Sequence, residues 1–138
     1  MLNTRASTVL MIDDNADEIF LTRRQMRKEG IINHFLSEKN PELVMDRLKE
    51  LRDMGQSIVI LLDISMPRVN GMNVLQDIRA SSEFYNVPVL IFSASNDEAD
   101  IFDAIEKGAD GYIVKPFRSD EFFAAIDNIP LIKKCIVQ

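Results

Sequence analysis

Short apolar runs alternate with amphipathic stretches from one end of this chain to the other. Thr8-Val-Leu-Met-Ile12 predicts a first strand, and Gln56 to Leu62 predicts the most continuous one. Val87 to Phe92 and Gly111 to Val114 predict two more, with a weaker strand near Asn33 to Ser37. Strands covered by helices on both faces are apolar at nearly every position, as these runs are.

The stretches between them repeat at helical spacing. Asn15 predicts an N-cap with Glu18 three positions on, ahead of Ile19, Phe20 and Met26. Asn40-Pro41 predicts a cap followed by proline at the first helical position, with Val44, Leu48 and Leu51 on one face. Gly71 to Ser81 carries Val74, Leu75 and Ile78. Ser95-x-x-Glu98 predicts a capping box ahead of Ile101 and Ile105, and Ser119 precedes Phe122, Ile126 and Ile129. Five strand–helix pairs predict a doubly wound α/β fold with a parallel sheet and right-handed crossovers. The chain's 138 residues fit one domain, 1–138, with its core over about 8–129. After Pro130 the pattern weakens, and Leu131 to Gln138 reads as a continued helix or an ordered tail.

Composition narrows the field. The sole cysteine, Cys135, excludes an internal disulfide and a cysteine-cluster metal site. Sixteen basic against twenty-two acidic residues give a net charge of −6, with no basic run, which argues against direct contact with nucleic acid. Met1 to Thr8 lacks the apolar core of a signal peptide, and the longest apolar run, Ile58 to Leu62, is too short to span a bilayer. The expected location is the cytoplasm, away from membrane.

In an open parallel sheet, ligands bind outside the carboxyl ends of the strands, near the point where strand order reverses. Asp13-Asp14 follow the first strand, Asp63 the third, Ser93 the fourth and Lys115 the fifth. Three carboxylates brought together repel one another, and Lys115 balances only one of them. A hard divalent cation completes the balance, and Mg²⁺ favours one or two carboxylates with waters and a phosphate oxygen. The predicted site is therefore a Mg²⁺ pocket for an incoming phosphoryl group, where one carboxylate acts as nucleophile to form an aspartyl phosphate. Charge alone does not say which.

Asp13-Asp14, Asp63-Ile-Ser-Met-Pro67 with Gly71, Ser93-Ala94 and Lys115-Pro116-Phe117 together resemble the receiver family of two-component response regulators, over about Thr8 to Ile129. The resemblance implies a flavodoxin-like sheet of order 2-1-3-4-5. It makes Asp63 the phosphoacceptor, served by a sensor histidine kinase or a phosphotransfer protein. Asp13 and Asp14 become the metal-binding acids, with Asp14 the more direct ligand, and Asp63 and the backbone carbonyl of Ser65 complete the shell. Mg²⁺ is the implied ion, with Mn²⁺ its substitute. Lys115 contacts the phosphoryl group, and the Lys115–Pro116 peptide is implied to be cis. Ser93 and Tyr112 become a switch pair: Ser93 moves toward the phosphoryl group and Tyr112 turns inward. That alters the face made by the fourth helix, fifth strand and fifth helix, which also mediates homodimers. Ile101, Phe102, Ile113, Phe122 and Ile126 are its expected members, with a place in the core as the alternative for the apolar ones. The implied protein is a phosphoacceptor that assists its own phosphorylation and dephosphorylation, not an enzyme acting on another substrate. Residues at Ser65 and Ser95 bear on phosphoryl lifetime in the family.

Competing functions fit less well. Dehalogenase-like phosphatases use Asp-x-Asp, whereas this chain has Asp63-Ile64-Ser65. No glycine-rich phosphate loop follows the first strand, as a nucleotide or flavin module requires. A receiver that has abandoned phosphorylation and acts as a constitutive interaction module is the remaining alternative. His34, the only histidine, lies beside the weak second strand and reads as structural or surface.

Overall fold

The computed structural model describes residues 7–66 and 70–138, so Pro67 of the Asp63 motif lies outside the described residues. Five strands, β1 (Thr8–Ile12), β2 (Phe35–Glu38), β3 (Ile58–Leu62), β4 (Val89–Ser93) and β5 (Gly111–Val114), form one parallel sheet of order β2-β1-β3-β4-β5. Every residue of β1, β3 and β4 is buried, which is why these segments are apolar at consecutive positions. Side chains alternate between the two faces. On one face, Leu10, Ile60 and Ile91 pack against Val44, Leu48 and Leu75; on the other, Met11, Leu61 and Phe92 pack against Ile19, Met26 and Phe122. Burial of each such side chain contributes about 2 kcal/mol.

The first face is therefore covered by α2 (Val44–Asp53), α3 (Gly71–Ala80) and α4 (Glu98–Glu106), the second by α1 (Ala16–Lys28) and α5 (Ser119–Asp127). Asn15 caps α1, its side-chain oxygen accepting from the backbone N–H of Asp17 and Glu18. Asn40 caps a 3₁₀ turn, Pro41–Leu43, that runs into α2. Asn70 caps α3 by accepting from the N–H of Met72.

Several boundaries differ from the expectation. The third strand begins at Ile58, because Gln56 and Ser57 are exposed and Gln56 instead accepts from the Thr8 hydroxyl. The fourth begins at Val89, since Pro88 has no N–H to enter the ladder. The second is shifted to Phe35–Glu38. Asp97, not Ser95, caps α4, accepting from the Ala99 N–H at 2.9 Å, which makes Glu98 the first helical residue. The last long helix, α5, starts at Ser119, and Ile129 lies beyond its end. The chain then forms a short helix, α6 (Pro130–Lys133), and an ordered tail. The tail is held by Asn33: its amide donates to the carbonyls of Ser7 and Cys135 at 2.7 Å, and its oxygen accepts from Val137 N–H at 2.7 Å. Of the residues expected either on the exchangeable surface or in the core, Ile113, Phe122 and Ile126 are core residues. Phe102 and Ile105 of α4 are the exposed apolar residues of that region.

Candidate functional site

The sheet's hydrogen bonds continue one residue past three strands and so fix where the polar side chains stand. Asp13 N–H donates to the Glu38 carbonyl, Asp63 N–H to the Ile12 carbonyl, and Lys115 N–H to the Ser93 carbonyl. Since β1 lies between β2 and β3, the chain changes direction at β1, which opens a crevice at these carboxyl ends. An open cleft of about 500 Å³ there is lined by Asp13, Asp14, Asn15, Glu18, Asp63, Ser65, Ala94 and Lys115.

Asp13, Asp14 and Asp63 each offer a carboxylate oxygen, and these lie within 4.8 Å of one another. Lys115 Nζ sits 2.6 Å from Asp13 Oδ2, 3.4 Å from Asp63 Oδ2 and 3.8 Å from Glu18 Oε2. Among the described residues it is the only basic side chain paired with Asp13 or Asp63. It also lies over the Phe92 ring, 5.8 Å from the centroid. The Lys115–Pro116 peptide bond is cis.

Burial pushes the Asp13 carboxyl above its ordinary value of 3.8, and the charge of Asp63 pushes the same way. Hydrogen bonds from Lys115 and the Asn15 N–H pull against them. Burial works against the charged form of Lys115 too. Its hydrogen bond to Asp13 and the charges of Asp63, Asp13 and Glu18 outweigh that, and its pKa stands above 10.5. The site thus holds more negative than positive charge, in a place where water solvates it incompletely.

The loop after β3 is shaped by Asp63 and Gly71. Asp63 Oδ1 accepts from the Ser65 N–H at 2.9 Å. A Cβ on Gly71 would stand 2.3 Å from the Asp63 carbonyl oxygen and 2.6 Å from the Ile64 Cα, so no other residue lets α3 start this close to that loop.

Ser93 is fully buried at the end of β4, and its hydroxyl meets the Ser65 hydroxyl at 3.0 Å. It also accepts from the Ser95 N–H at 3.3 Å. Tyr112 is half-buried, and its hydroxyl donates to the Ser95 carbonyl at 2.8 Å. Burial, first, raises its pKa above 10.0.

Two residues of the cleft escaped the sequence reading in this role. Glu18 was legible only as a helix-capping acid, yet it reaches the Lys115 ammonium; its place in the first turn of the helix after Asp13-Asp14 was the available signal. Asn15 both caps α1 and lines the cleft.

A sheet of this order, with acids and a lysine converging at its carboxyl edge, defines a receiver-type fold. The family model of the response regulator receiver domain matches residues 9–127, and the chain belongs to that family. The DNA-binding response regulator MtrA of Mycobacterium tuberculosis is 30% identical over 125 residues, covering 91% of this chain and 51% of MtrA. This chain therefore spans about half the length of that relative. Among solved structures, the bacteriophytochrome response regulator AtBRR matches with a TM-score of 0.78 at 26% identity, over 91% of this chain and 94% of its own. Chemotaxis response regulator CheY4 of Vibrio cholerae, at 18% identity and a TM-score of 0.71 over 91% of this chain and 98% of its own, shares the fold.

Proposed function

We propose that this chain accepts a phosphoryl group on Asp63 in a Mg²⁺-dependent reaction and signals through a changed surface. The supporting observation is the Asp13–Asp14–Asp63 cluster with Lys115 beside it, at the edge of a receiver fold. Carboxylate oxygens within 4.8 Å of one another, matched by one paired ammonium, suit a hard divalent cation. Asp13, Asp14, Asp63 and the Ser65 carbonyl would hold Mg²⁺, or Mn²⁺ in its place. When bound, the ion neutralises charge on the oxygens of the transferring group.

The donor is a phosphohistidine of a sensor kinase or phosphotransfer protein. An Asp63 carboxylate oxygen forms the bond to phosphorus as the phosphorus–nitrogen bond breaks, and the imidazole nitrogen keeps the bonding pair. Lys115, already 3.4 Å from Asp63, donates to an oxygen of the transferring group. Ser93 turns its hydroxyl toward the same group. That movement disturbs Ser95 and, through it, Tyr112 and α4. The responding surface is the α4–β5–α5 face, where Phe102 and Ile105 are available for a partner or a second copy.

The net charge of −6 supports a role that does not use nucleic acid contacts by this chain. None of the helices among the described residues is long and apolar enough to cross a membrane. We place the protein in the cytoplasm, where phosphohistidine donors act. The test is incubation with acetyl phosphate with and without Mg²⁺, read as an acid-stable but hydroxylamine-labile phosphoryl adduct. The adduct is expected only with the metal; its absence in both arms overturns the proposal.

A further inference from the structure

The site contains two hydroxyls, and they are paired with each other. Ser65 lines the acidic cleft, whereas Ser93 is fully buried behind it, with 3.0 Å between the oxygens. Ser65 is also tied to Asp63 through its own N–H, at 2.9 Å. Ser93 in turn accepts from Ser95 N–H at 3.3 Å. Ser95 is held on two further sides: its carbonyl accepts from Tyr112 Oη at 2.8 Å, and its hydroxyl donates to Asp100 Oδ2 at 2.6 Å. One continuous chain of hydrogen bonds therefore runs from Asp63 through Ser65, Ser93 and Ser95 to Tyr112 and to Asp100 in α4.

We propose that the Ser65 hydroxyl is a positioning residue that holds Ser93 in its resting place and thereby sets how readily the site responds to a phosphoryl group. This rests on the reading of Asp63 as phosphoacceptor. A buried hydroxyl keeps a partner because leaving it unpaired is costly. With the Ser93 hydroxyl donating to Ser65, its single proton reaches a group on Asp63 only by leaving Ser65, so that bond belongs to the resting state alone. A bond made in one of two states biases the equilibrium toward that state. Removing the Ser65 hydroxyl destabilises the resting arrangement and leaves the responding one untouched.

The experiment is titration with beryllofluoride plus Mg²⁺, a stand-in for the bound phosphoryl group, followed by calorimetry. The proteins are wild type, Ser65→Ala, Ser65→Thr, Ser93→Ala and the Ser65→Ala/Ser93→Ala double variant. Ser65→Ala is expected to bind roughly five-fold more tightly than wild type, the effect of one net hydrogen bond. Ser65→Thr, which restores a hydroxyl, is expected to return to the wild-type value. In the Ser93→Ala background, Ser65→Ala is expected to change nothing, since the partner is already gone. Unchanged or weaker binding in Ser65→Ala overturns the proposal, as does an effect that survives without Ser93. Failure of wild type itself to bind beryllofluoride overturns the phosphoacceptor reading, and the role of Ser65 with it.

Discussion

Lys115 Nζ lies 2.6 Å from Asp13 Oδ2, and both side chains are almost wholly withdrawn from water. The pair joins the end of β5 to the end of β1 across the cleft and keeps two carboxylates, Asp13 and Asp63, from facing each other uncompensated. Lys115→Met is expected to destabilise the protein by about 3 kcal/mol without divalent metal, the cost typical of leaving buried charge unpaired. Added Mg²⁺ is expected to restore part of that loss, because it binds the folded state. Because the folded-state pKa of Lys115 lies above 10.5, its stabilising contribution is full below that pH and fades as pH rises through the higher folded value. Chemical denaturation of both proteins across alkaline pH should show their difference shrinking there; a constant difference would contradict the pairing.

Gly71→Ala is expected to cost about 2 kcal/mol, since its Cβ would meet the backbone of Asp63 and Ile64 rather than a movable side chain. The same displacement should weaken Mg²⁺ binding, because Asp63 and Ser65 belong to the loop that has to move. Urea denaturation and a Mg²⁺ titration check the two parts separately.

Much of this was legible beforehand, for identifiable reasons. Strands buried on both faces leave continuous apolar runs, so β1, β3 and β4 could be located to within two residues. The acids and the lysine stand just past those runs, so their convergence follows from a parallel sheet. The cap of α4 misled because Ser95, Asp97 and Glu98 are all plausible cap chemistry, and the hydroxyl of Ser95 had a better partner in Asp100. The Ser65–Ser93 pairing was not legible at all. It depends on how the loop after β3 and the last residue of β4 approach in space. The burial of Phe122 and Ile126 was ambiguous from periodicity, which marks an apolar face without naming what covers it.

Protons compete with metal at Asp13. Its carboxyl holds a proton more tightly than the ordinary value of 3.8 implies, chiefly through burial. Mg²⁺ affinity is expected to fall on acidification, starting at a higher pH than an ordinary aspartate would set. Calorimetric titrations over a descending pH series check this, and Asp13→Asn should bind weakly with a flatter dependence.

Phe102 is 69% exposed on α4, next to the half-exposed Ile105. If phosphorylation promotes self-association through this face, Phe102→Glu is expected to abolish the larger species and leave phosphoryl uptake intact. Size-exclusion chromatography with light scattering, with and without acetyl phosphate and Mg²⁺, separates the two effects.

The most direct test of the account is intact-mass spectrometry after exposure to acetyl phosphate and Mg²⁺, on wild type and Asp63→Asn. Wild type is expected to gain about 80 Da, the mass of one phosphoryl group, while Asp63→Asn gains nothing. An equal gain in both proteins would place the acceptor elsewhere. No gain in wild type, with no binding of beryllofluoride, would contradict phosphorylation and favour a constitutive interaction module built on the receiver fold.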